Sequence, residues 1–129
     1  DKNVAISFIS NFNGNLSIDK EIMQQAIINL IDNAIKFSYE NNQVEISLLE
    51  SNNKIVLSVA NFGEGIPQES LTKIFERFYR LESSRNRKTG GVGLGLSVVK
   101  SVVQWHDGEI KVESEPNQKT IFSIILDKT

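Results

Sequence analysis

Along the chain the hydrophobic pattern alternates between a period of two and a period of 3.6, the signatures of half-buried strands and amphipathic helices. Val4, Ile6 and Phe8 alternate with polar or small neighbours, and Asn13-Gly14 is a hairpin-turn signal leading to Leu16 and Ile18. Val44, Ile46 and Leu48 alternate next, and Ser51-Asn52-Asn53 turns the chain into Ile55, Leu57 and Val59. These four runs predict two hairpins. Between them lies a long helical pattern with Asp19 as N-cap and an apolar stripe of Ile22, Met23, Ala26, Ile27, Leu30, Ile31 and Ala34. Pro67 opens a short helix through Leu71, Ile74 and Phe75, because its fixed φ suits a first turn. A further helix begins near Gly93, carries Leu96, Val99, Val102 and Val103 inward, and stops at Asp107-Gly108. The last strands, 110–112 and 121–126, are joined by a Pro116-Asn117 turn. The predicted fold is α/β: a two-layer sandwich with a mixed, mainly antiparallel sheet and about three helices on one face.

Composition narrows the classes. At 129 residues and 40% hydrophobic, the chain is sized for one compact domain with a core that needs no staples. It has no cysteine, which excludes disulfides and cysteine-based metal sites. No run approaches the ~18 apolar residues of a membrane span, and no charged-then-apolar leader is expected at the amino terminus. A formal net charge of −2 gives no support to a basic nucleic-acid face.

Glycine and asparagine then change the picture. Of eight glycines, two fall at Gly63 and Gly65 and four at Gly90, Gly91, Gly93 and Gly95. Glycine is costly where the backbone could be regular, so the two clusters mark places of sharp bending or close approach. On the long helix, Asn29, Asn33 and Lys36 are spaced i, i+4, i+7 and fall within about 60° of one another around the axis. Asparagine competes with the backbone for hydrogen bonds and is a mediocre helix former, so stacking two on one face asks for a reason. One reading is a solvated face. The other is a row of neutral oxygens and one cation suited to a magnesium-bound phosphate group, with Asn33 offering oxygen to the hard metal and Lys36 meeting an anionic oxygen.

Four segments in order carry a resemblance: 29–37, then Asn61-Phe-Gly63-Glu-Gly65-Ile66-Pro67, then Phe75-Glu-Arg-Phe-Tyr79-Arg80, then Gly90-Gly91-Val92-Gly93-Leu94-Gly95-Leu96. They resemble the N, G1, F and G2 boxes of the catalytic ATP-binding domain of bacterial sensor histidine kinases. The resemblance implies the Bergerat ATP-binding fold and one catalytic domain over residues 1–129, with a lid at about 80–91. The dimerisation domain bearing the phosphoacceptor histidine would lie elsewhere in the parent chain.

It further implies adenine near Phe37, Asn61 and Gly65, with Gly63 and Ile66 in the same loop, and Asn29 and Asn33 facing the phosphates with Mg²⁺ on Asn33. Tyr79 and Arg80 would lie close to the nucleotide, and Lys36 and Arg80 would offset phosphate charge during transfer. Gly91, Val92, Gly93, Leu94, Gly95 and Leu96 would cradle the polyphosphate. That last role also has an independent basis, since a glycine-rich entry to a helix offers backbone N–H groups and a positive dipole end. Residues 80–89 hold Arg80, Arg85, Arg87 and Lys88 against Glu82 alone, which fits a basic loop over an anionic ligand. Phe75 and Phe78 read as core anchors for that lid. The implied partners are ATP, the dimerisation domain and a downstream response regulator, without nucleic acid or direct membrane contact. The implied place is the cytoplasmic portion of a membrane-anchored sensor.

Three positions depart from the family pattern, one of them with consequence. Position 61 is Asn where the family normally has Asp, so the charge that strengthens a hydrogen bond to the adenine amino group is missing, and weakened adenine binding is expected. Phe37 and Val92 stand where Tyr and Thr are frequent, with no loss of charge. Asn29 occupies the position where ATP-hydrolysing relatives carry a general-base Glu; an amide cannot take up that proton, so hydrolysis is expected to be poor. His106, the only histidine, is expected to cap or pack. The alternative readings are a binding-only module with a degenerate adenine pocket, supported by Asn61, and an ATP-driven clamp, disfavoured by Asn29.

Overall fold

The computed structural model describes residues 4–14, 16–76 and 95–128. Its order is β1 (Ala5–Ser10), α1 (Lys20–Lys36), β2 (Gln43–Ser51), β3 (Lys54–Phe62), a 3-10 turn (Gln68–Ser70), α2 (Gly95–Trp105), β4 (Glu109–Ser114) and β5 (Lys119–Asp127). The strands form one five-stranded sheet in the order β1-β2-β3-β5-β4. The pairings β2–β3, β3–β5 and β4–β5 are antiparallel, and β1 runs parallel to β2. The α/β prediction therefore holds, with a mixed and mainly antiparallel sheet.

The first predicted hairpin does not form. Asn13-Gly14 is followed by loop rather than strand, and β1 pairs instead with β2 across the intervening helix, Ile6 opposite Val44 and Phe8 opposite Ile46. Asn11 continues along β2, donating its N–H to the Leu48 carbonyl and accepting the Glu50 N–H on Oδ1. Leu16, whose apolar character suggested a strand, packs against the core from the loop. The helix expected after Pro67 contracts to the 3-10 turn and successive turns. Ser70 N–H bonds the Pro67 carbonyl, and Lys73 and Ile74 N–H both bond Ser70, so the pattern tightens instead of propagating.

The other elements follow their sequence logic. Asp19 caps α1, its Oδ1 accepting the Ile22 N–H at 3.2 Å. Asn52 and Asn53 both take positive φ in the β2–β3 turn, the conformation that matches the twist of a tight hairpin. Asp107, also at positive φ, ends α2 with the paired bonds Asp107 N–H to Gln104 and Gly108 N–H to Val103, a Schellman stop.

One face of the sheet carries the core. Met23, Ala26, Leu30 and Ala34 of α1 and Val99, Val102 and Val103 of α2 pack onto Val44, Val59, Phe122, Ile124 and Leu126. Each large side chain so buried contributes roughly 1.5–3 kcal/mol relative to exposure, which makes this layer the main source of stability. Phe75 meets Phe122 edge to face, with ring centroids 6.1 Å apart, and packs against the core as expected, while the lid it was expected to anchor lies outside the described residues. Phe78 lies outside the described residues.

Helices α1 and α2 are tied at one end. The Asp19 N–H donates to His106 Nε2 at 2.9 Å, while His106 Nδ1 meets the Val102 carbonyl at 2.8 Å. The tautomer with its hydrogen on Nδ1 satisfies both contacts. His106 is thus a cap between two helices, as its sequence context suggested. From this junction α1 runs away while α2 runs back, and the two pack on one another. At 1.5 Å per residue, about ten residues of each bring the start of α2 to roughly the level of Asn29.

Candidate functional site

The in-phase positions on the helix-facing side of β3 read Ile55, Leu57, Val59 and then Asn61, and those of β5 read Leu126, Ile124, Phe122 and then Thr120. Each apolar row ends in a polar residue at the same edge of the core. Asn61 and Thr120 are register partners, and Ser114 of β4 is the partner of Thr120 on its other side. A polar rank therefore crosses three strands at one end of the sandwich, although Asn61 is only 5% and Thr120 only 3% exposed. Such burial requires partners.

Asn61 finds its partner at the end of α1. Its Nδ2 donates to the Phe37 carbonyl at 3.3 Å. Phe37 is the C-cap residue, where helix carbonyls lack intrahelical donors, and its own N–H remains bonded to Asn33. The junction continues outward: Ser38 bridges Gly63, Ser38 Oγ donates to the Phe62 carbonyl at 3.4 Å, and Tyr39 N–H bonds the same carbonyl at 2.9 Å. Gly63 is required here by space. A Cβ on it would stand 2.1 Å from the Phe37 oxygen, so only glycine lets the helix end close on β3.

The loop after β3 is pinned from the opposite side. Ile66 N–H donates to Ser114 Oγ at 2.9 Å, and that oxygen lies 2.7 Å from Thr120 Oγ1. Gly65 takes φ of +87°, and a Cβ there would press on Ser114, Glu115 and Pro116. Asn117 N–H bonds the Glu64 carbonyl, and Tyr39 Oη donates to Asn117 Oδ1 at 2.8 Å. The loop of Gly63, Gly65 and Ile66 is held between the end of α1 and the β4–β5 turn.

Of the residues singled out by sequence, Phe37, Asn61, Gly63, Gly65 and Ile66 are brought together in this junction. Asn29, Asn33 and Lys36 lie on α1 leading into it, half-buried. Lys36 Nζ stands 3.2 Å from Asp32 Oδ2, an i, i+4 pair. Gly95 opens α2 in open surroundings, and Leu96 packs against the core. Tyr79, Arg80, Gly91, Val92, Gly93, Leu94 and the expected lid at 80–91 lie outside the described residues. Sequence reading missed Ser38, Tyr39, Ser114, Asn117 and Thr120. Thr120 had a signal, a lone polar residue in phase with Phe122, Ile124 and Leu126; the others depend on register.

A helix whose end is locked to a glycine loop beside a buried amide thus lies over one face of a mixed sheet. Residues 18–129 match the model of the histidine kinase-, DNA gyrase B- and HSP90-like ATPase family, and the chain belongs to that family. It is 43% identical over 111 residues to the signal transduction histidine-protein kinase ArlS of Staphylococcus haemolyticus, covering 86% of this chain and 24% of that protein. The Staphylococcus aureus ArlS is 40% identical over 103 residues, covering 80% and 23%. Among solved structures, the catalytic domain of histidine kinase ThkA superposes with a TM-score of 0.83 at 30% identity, over 98% of this chain and 80% of that one. The mycobacterial sensor histidine kinase MprB gives 0.87 at 28% identity, over 97% and 84%. The chain spans about a quarter of the length of its ArlS relatives, and it is a histidine kinase ATPase domain of the sensor kinase family.

Proposed function

We propose that the chain binds Mg-ATP and donates the γ-phosphate to a histidine on a separate dimerisation domain, as the catalytic part of a two-component sensor kinase on the cytoplasmic side of a membrane. The observation that carries this is the geometry of α1. One helix presents Asn29, Asn33 and Lys36 in a row, and its terminal carbonyl holds Asn61, so phosphate-facing and base-facing groups share a single rigid element.

The donor set suits magnesium, a hard ion that favours neutral and anionic oxygen. Asn33 would hold it. Among the described residues no group of three or more His, Asp or Glu side chains stands together, so phosphate oxygens and water would complete the shell. Once bound, the ion offsets negative charge on the transferred group. Lys36 would serve the same end, and its surface pair with Asp32, worth only about 0–1 kcal/mol, is a weak competitor. Arg80 and Tyr79, with Gly91, Val92, Gly93 and Leu94, are proposed for the phosphate side on their positions in the sequence.

Asn29 supplies no base, so water is a poor acceptor and the nucleophile must be brought by the partner. His106 is not that nucleophile, since both its ring nitrogens are engaged by backbone groups. The chain alone therefore does not phosphorylate itself, and a response regulator takes the phosphoryl group from the partner domain's histidine.

Titration with a non-hydrolysable ATP analogue tests the reading. At a hundredfold excess over Kd, binding adds about 2.7 kcal/mol and raises Tm by roughly 10 °C. The rise should need Mg²⁺ and be largely lost in Asn33→Ala. A flat response in both conditions would favour a module that acts through protein contacts alone.

A further inference from the structure

We infer that β1 is a docking edge for a second copy of this chain, the two β1 strands pairing antiparallel about Ser7 so that two sheets join edge to edge. The inference stands on the sheet itself and is independent of the nucleotide reading.

The sheet has two edges, β1 and β4, and the sequence treats them differently. β4 carries Glu109, Lys111 and Glu113 on one face, all exposed. Charges so placed discourage a further strand. β1 has no such guard. Its six residues are all exposed, with Ile6 at 53%, Phe8 at 62% and Ile9 at 67%, and residues 3–18 contain neither a charged side chain nor a proline. An edge of this kind is a template for another strand.

The backbone fixes how a strand adds. Ala5 N–H bonds the Asn42 carbonyl and Asn11 N–H bonds the Leu48 carbonyl, so the odd-numbered positions turn their backbone groups toward β2. Ile6, Phe8 and Ser10 turn theirs outward, to the side on which β1 has no neighbour in the sheet. In an antiparallel pair, opposed residues exchange either both hydrogen bonds or none. Outward residues must therefore face outward residues, and a twofold axis passes through a residue and never between two. An axis at Ser7 pairs the whole stretch from Val4 to Ser10.

The side chains agree with that register. Ile6 and Phe8 share the face of their partners Val44 and Ile46, the face that carries the core. About Ser7, each Ile6 lies opposite Phe8 of the second copy on that face, and each Ala5 lies opposite Ile9 on the other. Aromatic residues opposite β-branched ones are favourable cross-strand pairs, and with no charge on either strand no like charges are opposed. A strand of another sequence would have to reproduce this order, whereas an identical one supplies it by symmetry. The twofold contact consumes both edges, so assembly stops at two copies.

A contact this small belongs with weak interfaces of under about 1,200 Å², so sedimentation equilibrium should extend to about 1 mM chain. The mass should climb from one copy toward two and level there. Phe8→Lys, at an exposed position, should weaken the dimer about tenfold or more. The chain has no cysteine, so Ser7→Cys gives one thiol per copy. On the axis the two thiols stand in a pair that exchanges no hydrogen bonds, with Cα atoms about 4.5 Å apart and within reach of a disulfide. Air oxidation should link them. Ala5→Cys is exposed on the same face, but its two copies would lie about 13 Å apart, and it should link at least tenfold more slowly. A single copy at every concentration overturns the inference. So does a dimer indifferent to Phe8→Lys, growth beyond two copies, or linkage of Ser7→Cys no faster than that of Ala5→Cys. Should Phe8→Lys fail to fold, the two thiol variants decide the matter.

Discussion

The two ends of α1 use the same device for different ends. At its start the Asp19 N–H is met by the ring of His106, and at its finish the Phe37 carbonyl is met by the amide of Asn61, each from an element far away in sequence. The first junction lies at the surface, where water can take over either partner. The second is part-buried, with Asn61 itself in the interior, and sterically closed by Gly63. A cap at the surface stabilises the helix; a cap in the interior aims a side chain as well.

The largest effect should come from closing the space at the inner junction. Gly63→Ala places a Cβ against a backbone oxygen that cannot move independently, a form of overpacking that costs on the order of 1–3 kcal/mol or more. Urea unfolding should show the loss, and nucleotide affinity should fall with it; an unchanged midpoint would mean that the two elements are not in contact. At the outer junction His106→Ala or Asp19→Ala should each cost about 1 kcal/mol. Affinity for the ATP analogue should stay within about twofold. A tenfold loss of affinity at unchanged stability would erase the distinction between the two ends.

The smallest effect lies away from both. Lys54 pairs with Asp127, whose hydrogen bond and then charge raise the ammonium above its ordinary 10.5. A raised folded-state value adds stability that is fully present below pH 10.5 and is lost as pH climbs through the folded value. Because the pair is exposed, the change in urea midpoint between about pH 9 and about pH 12 should be small, salt-sensitive and absent in Asp127→Asn.

Sequence made the outer junction partly visible and the inner one only in pieces. The Asp19 cap, the α1 stripe, the Asn52-Asn53 turn and the Asp107-Gly108 stop are local signals, each set by neighbours within one turn. Asn61 and the glycine loop stood out by composition, and the family boxes gave them their order. The contact between Asn61 and Phe37 spans 24 residues and depends on how the helix end meets the strand, which no local pattern encodes. The same limit explains β1. Asn13-Gly14 is a strong local hairpin signal, but β1 pairs in parallel with β2 beyond α1 instead, a long-range register that no local turn signal encodes, and Ile6 and Phe8 stay exposed on it. Ser114 and Thr120 join only through a register that two strands fix together.

Helix α1 can also be seen as a measuring rod. From Phe37 back to Asn29 is about 12 Å of axis, with the carbonyl that holds Asn61 at one mark and the amides of Asn33 and Asn29 at others. A nucleotide bound as proposed would be judged by its length as well as by its base. Any tilt of the rod would move both marks together, so a force applied to the segment before Asp19 would shift both ends of a nucleotide bound as proposed rather than one alone.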